Sequence, residues 1–378
     1  MTATREGSRT RPGFVRSGPD IVATARGGAV SVLIRPRACA VAVGMLGLVF
    51  VLACLALAIG TRWIPLDEVV QGVFGTADRT VNLTVQRLRL PRVVVAVLVG
   101  AALGLSGSIV QAITRNPIAA PDVIGVTAGA SFGAIAVLLG FGGASFGYGG
   151  ASAELSQVGV PIGAVVGALL AAAIVLGIGG SRSPGGGMAF SAQRVVLVGI
   201  VLHAAFMGLV HWGLAAADVD QASKAKVWLV GSLHGRGWEH VSGVSLTLAV
   251  LLPVALLLGS RLAALSLGES AATTLGVPVA RTQVGLFVVA FAFAGTAAAA
   301  AGPINFVALL APQIAKRLVR GSGVPLITSA LTGAALLLAA DLLARLAIPS
   351  TELPAGAVTA LVGAPYLLWL VVRLGGRR

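Results

Sequence analysis

Val93–Thr114 reads VVVAVLVGAALGLSGSIVQAIT and holds no charged residue. A bilayer core of about 30 Å needs about 20 apolar residues in helix, so this stretch alone is long enough to cross a membrane. Uncharged runs recur at Ala38–Thr61, Val123–Ala153, Leu155–Ser181, Val195–Ala217, Val241–Ser260, Thr282–Ala315, Gly321–Ala340 and Leu353–Val372. The Gly-rich Phe141–Gly150 interrupts the run that starts at Val123. Gly302-Pro303 splits the run that starts at Thr282 into one full helix and a shorter one ending at Lys316-Arg317. The expectation is an all-α polytopic membrane protein with about ten transmembrane helices in residues 37–378.

Composition agrees. Of 378 residues, 57% are hydrophobic and 11% charged, against about 25% charged in an average globular domain. A soluble fold cannot hide that much apolar surface behind so few charges. The net charge of +14 could suggest nucleic acid or anionic lipid, but the placement of the charges excludes a DNA-binding domain. Cys39 and Cys54 fall in one apolar segment and form no disulfide framework. The three lysines, Lys224, Lys226 and Lys316, are not followed by Ser or Thr, which excludes a Walker A phosphate loop. No HExxH, paired acids or serine–histidine set marks an enzyme.

Charge also orients the chain. With the N-terminus in the cytoplasm, 18 Lys and Arg fall inside and 9 outside, as the positive-inside rule asks. An even number of spans then places both termini in the cytoplasm. Residues 1–36 are polar and Arg-rich, without apolar periodicity. They read as a disordered basic tail near anionic lipid, since the apolar run behind them is too long for a signal peptide and has no small-residue cleavage site.

A charge at mid-bilayer costs at least about 2.5–3.5 kcal/mol, so polar residues near the spans are informative. Asp341 and Arg345 stand four apart and can pair on one helix face. His203 and His211 share a helix, which reads as packing rather than a metal or proton path. Arg87, Arg89 and Arg92 cluster on the outer side, where snorkelling stems would account for them. Gly100-x3-Gly104, Gly129-x3-Gly133 and Gly163-x3-Gly167 allow close helix approach. Two inner loops stand out. Thr114–Pro121 carries two helix-breaking prolines. Ser266–Pro278 reads as a short helix with Gly268 before Glu269 at its start and Gly276 and Pro278 at its stop, suited to docking a partner protein.

Several motifs occur in order: Arg89-Leu90-Pro91-Arg92, Gly100-Ala101-Ala102-Leu103 with Ser106-Gly107 and Gln111, Arg115-Asn116-Pro117, Gly125 with Gly129-Ala130, and Trp228-x2-Gly231-Ser232. Leu267-Gly268-Glu269 with Leu275-Gly276, Ala340-Asp341 with Arg345, Glu352-Leu353-Pro354-x-Gly356 with Thr359-Ala360, and Gly363-x-Pro365 follow. Together, over roughly residues 37–378, they resemble the FecCD-type permeases of type II ABC importers, which take up ferric siderophores, haem and vitamin B12. Members usually carry Gly in place of Ala308 and His in place of Gln313.

The resemblance implies a permease with no cofactor of its own, paired with an identical or related second permease subunit. Two cytoplasmic ATPase subunits would bring ATP and Mg, and an extracytoplasmic substrate-binding protein would bring the cargo. It implies binding-protein contacts at Arg89, Arg92 and Arg345. A cytoplasmic gate is implied at Asn116 and Ile118 and more loosely at Ser191 and Ala192, and ATPase coupling at Gly268, Glu269 and Ala272. Among cargoes a ferric siderophore comes first, with vitamin B12 and haem as alternatives. A secondary transporter, driven by an ion gradient alone, is the rival class. The expected place is the cytoplasmic membrane, and no nucleic acid is expected.

Overall fold

The structure is a computed structural model that describes residues 14–17, 20–24, 31–34, 36–60, 63–139, 151–182, 188–190, 192–321, 323–348 and 352–375. Among the described residues eight helices are long and apolar enough to cross a membrane. They are α1 (Pro36–Ala58), α4 (Leu90–Thr114), α6 (Ala151–Gly179), α7 (Ala192–Ala216), α9 (Trp238–Leu257), α12 (Val279–Ala301), α14 (Leu326–Leu346) and α15 (Ala355–Gly375). The shorter apolar helix α5 (Val126–Leu138) and the amphipathic α13 (Val307–Val319), with Lys316 and Arg317 in its last turn, bring the total to the expected ten.

The short helices α2 (Leu66–Phe74), α3 (Arg79–Leu83) and α8 (Val219–Val230) lie at one end of the bundle. The opposite end carries α10 (Gly259–Ser266) and α11 (Glu269–Thr274). A π-helical turn, Thr84–Arg89, joins α3 to α4. Strands β4 (Gly180–Arg182) and β5 (Met188–Phe190) pair between α6 and α7. In the N-terminal segment, β1 (Phe14–Ser17), β2 (Asp20–Thr24) and β3 (Ser31–Ile34) form an antiparallel meander. This differs from a tail without regular structure: short runs such as Val32-Leu33-Ile34 favour strands although the segment lacks longer periodicity.

At the centre lie α4, α12 and α14, whereas α1 and α9 leave most of their surface outward. Small residues set the packing. A Cβ on Gly100 would lie 2.5 Å from the Gly333 carbonyl, and one on Gly104 would lie 2.2 Å from the Ser329 carbonyl, so α4 and α14 touch backbone to backbone. Gly129 and Gly133 meet Gly167 and Gly163 in the same way, which seats α5 on α6. The break at Gly302-Pro303 is also present: Gly302 adopts φ 75° after α12 ends at Ala301.

Candidate functional site

The first cluster sits at the α2–α3 end. Arg89 closes the π-helical turn, and its guanidinium donates to the Leu57 carbonyl at 2.6 Å and the Ala58 carbonyl at 2.8 Å. These are orphan acceptors at the C-terminus of α1, where a cation also meets the negative end of the helix dipole. Arg345 donates to the Ala56 carbonyl at 3.0 Å and pairs with Asp341 one turn back on α14. Arg92 completes the cluster. Its Nε and Nη2 both reach Asp341 Oδ1, at 3.1 and 2.9 Å, and its Nη1 donates to Glu352 Oε2 at 2.8 Å. The same Glu352 oxygen lies 2.7 Å from His234 Nδ1.

The three arginines, Glu352 and His234 line a cavity of about 270 Å³ with Arg87, Arg236 and Gly60, and Asp341 lies beneath it. Burial draws the Arg236 guanidinium below its ordinary value, partly offset by Glu239. Burial also pushes Glu352 up, but the hydrogen bonds from Arg92 and His234 outweigh it and hold the carboxyl below the usual range. The i,i+4 pair expected from Asp341 and Arg345 is therefore present. Arg89 and Arg92, read in the sequence as possible snorkelling stems, are instead buried at 7% and 9% exposure, and Arg87 is the exposed member of the three.

The second cluster surrounds the connector after α4. Asn116 Oδ1 accepts the Ile118 amide N–H at 3.0 Å, which locks the turn ahead of Pro117. Gln313, where the resembling permeases usually carry His, donates to Gln111 Oε1 at 2.8 Å and to the Pro117 carbonyl at 3.1 Å. A neutral amide thus ties α13 to α4 and to the connector. Further along, the Phe306 amide donates to Asp122 Oδ2 at 3.3 Å, with Phe306 itself at φ 69°. Asp122 is half-buried as a residue, while its Oδ1 is shielded from solvent and has no partner. Burial pushes this carboxyl up to about 7, against the opposing hydrogen bond from Phe306.

Ile118, Asp122, His203 of α7, Asn305 and Leu367 of α15 line a cavity of about 400 Å³. Neither histidine of α7 is buried: His203 and His211 are both exposed, contrary to a packing role inside this chain. Among the described residues no group of three His, Cys, Asp or Glu could hold a metal ion. Ala192 opens α7, and Ser191 lies outside the described residues.

The third cluster is the short helix α11. Gly268 precedes it at φ 122°, and Glu269 occupies its first turn, exposed, with Oε1 accepting from Gln283 at 3.2 Å. Gly276, at φ 74°, and Pro278 end the unit as expected. Ala272 is buried within the chain, so its side chain supports the helix from below. Leu267 and Leu275, at 72% and 65% exposure, flank the helix; as lone leucines at loop positions they give no periodic signal in the sequence.

Residues 48–373 match the FecCD transport family. This chain belongs to the FecCD transport family. Its relatives include the Fe(3+)-citrate import system permease protein YfmE of Bacillus subtilis, 36% identical over 86% of this chain and 92% of that protein. The ferric enterobactin transport system permease protein FepD of Escherichia coli is 38% identical over 87% of this chain and 94% of its own length. Among solved structures, an inward-facing metal-chelate type ABC transporter superposes with TM-score 0.73 at 28% identity, covering 89% of this chain and 99% of that one. As a FecCD protein the chain is a multi-pass membrane permease, and its all-helical fold is shared with that transporter.

Proposed function

We propose that this FecCD chain is the membrane-spanning subunit of an ABC importer that moves a ferric siderophore across the cytoplasmic membrane. It pairs with a second permease chain, identical or related. The observation that carries the reading is full-length similarity to permeases named for ferric citrate and ferric enterobactin. The absence of a Lys-Ser/Thr phosphate loop from the sequence fits ATP and Mg being held by separate ATPase subunits.

The positive-inside count puts the α10–α11 end in the cytoplasm and the arginine cavity outside. Gly268, Glu269, Leu267 and Leu275 then form the ATPase-docking face. Asn116, Ile118 and Ala192 stand at the inner mouth. The arginine cavity receives carboxylates of a substrate-binding protein: Arg87 makes the exposed contact, Arg92 grips a carboxylate at the cavity wall, and Arg89 and Arg345 supply the positive field beneath. Planar guanidinium groups suit that task because they grip carboxylates with two hydrogen bonds.

The test is uptake by vesicles reconstituted with the whole transporter and its binding protein, comparing iron-labelled ferric siderophore with labelled cobalamin and haem. Accumulation of the ferric chelate alone is expected. Preferential uptake of cobalamin or haem would overturn the cargo assignment.

A further inference from the structure

We propose that Glu352 is a built-in occupant of the arginine cavity, and that an acidic side chain of the docking binding protein displaces it from Arg92. This rests on the docking reading above and adds a competitor to it.

The cavity holds a surplus of positive charge. Arg87, Arg89, Arg92, Arg236 and Arg345 line it, and Glu352 is the one acid among the lining residues. Asp341 lies beneath, and its carboxylate is shared between Arg92 and Arg345 at 1% exposure. It is fully engaged and out of reach. Glu352 differs in every respect. It belongs to the connector ahead of α15, its side chain is 33% exposed, and one oxygen bridges Arg92 Nη1 and the 70% exposed His234.

Arg92 therefore already grips a carboxylate at the cavity wall, and that carboxylate is the one group there that can leave without unburying a charge. An incoming acid of the same chemistry replaces one Arg–carboxylate contact with another. It frees the Glu352 side chain, and with it His234, to turn toward solvent. The sign of the consequence is specific. Removing the charge of Glu352 removes the competitor and makes the cavity more positive, so docking tightens. Were Glu352 only a scaffold for Arg92, its loss would loosen the arginines and docking would weaken.

The experiment measures binding-protein affinity at low salt for the assembled transporter in lipid nanodiscs, as wild type, Glu352→Gln, His234→Gln and Arg87→Glu. Glu352→Gln is expected to tighten binding about threefold, the scale of a part-exposed ion pair. His234→Gln, which loosens the hold on Glu352, is expected to shift affinity the same way by less. Salt should erase both gains, and Arg87→Glu should weaken binding. Should Glu352→Gln fail to assemble, His234→Gln decides. If Arg87→Glu weakens docking while the other two leave it unchanged or weaker, displacement is wrong and the docking reading stands. If Arg87→Glu has no effect, docking at this cavity is wrong and displacement falls with it.

Discussion

Arg92 shows how far a residue's role can be set by distant chain. Its sequence neighbours suggest a surface cation, yet its partner Asp341 lies 249 positions away and Glu352 lies 260 away. No local pattern reports that. The structure turns the arginine cluster into a ranking that burial decides. Arg92→Ala should destabilise the purified permease by about 1–3 kcal/mol, because buried Asp341 loses one of its two arginines and keeps only Arg345. Arg87→Ala should leave the unfolding midpoint within error. Thermal unfolding of both variants in detergent checks the order. Asp122 offers a second test at this scale. Its folded carboxyl titrates near 7 against about 3.9 in an unfolded chain. The native state thus holds a proton that the unfolded chain releases. This contribution is fully present below about pH 4 and is lost as pH rises to about 7. Asp122→Asn, whose amide oxygen can still accept the Phe306 N–H, should flatten that part of the stability profile; an unchanged profile would show that Asp122 does not set it.

Elements were more legible than residues. Nine uncharged runs, the break at Gly302-Pro303 and the short unit between Gly268 and Pro278 could be read directly, because helix length, Gly and Pro act locally. The π-helical turn before α4 could not, since nothing in its local composition demands it, and the strands near the N-terminus rest on runs as short as Val32-Leu33-Ile34, too brief to show a period. Glycine spacing foretold close packing without naming partners; the pairing of α4 with α14 and of α5 with α6 needed the fold. At Gly104 the prediction is concrete. Gly104→Leu drives side-chain atoms into the Ser329 carbonyl and should destabilise the bundle by about 1–3 kcal/mol or more, whereas Gly44→Leu, with nothing within 4 Å, should not. Denaturation of the two variants side by side reads the difference. On α11, Glu269→Lys reverses an acid that complements the helix N-terminus and loses the contact to Gln283. It should reduce co-purification of the ATPase or uncouple hydrolysis from uptake, while normal values for both would remove α11 from the coupling role.

For the whole molecule, the three clusters divide the labour along the bundle. Arginines gather at one end, a capped helix with exposed leucines stands at the other, and a locked turn beside a cavity lies between them near the α11 end. That arrangement suits a passive conduit worked by partners from both sides. Among the described residues no charged chain of acids and histidines crosses the bundle: His203 and His211 are exposed, and Asp341 is held by arginines. The importer proposed above draws its energy from ATP and not from an ion gradient. The most direct measurement is ferric siderophore uptake by vesicles holding the permease with its ATPase and binding protein, with ATP supplied and ionophores collapsing every gradient. The account predicts that uptake persists under ionophores and stops when ATP, the ATPase or the binding protein is withheld. Uptake by the permease alone, driven by an imposed ion gradient, would contradict it.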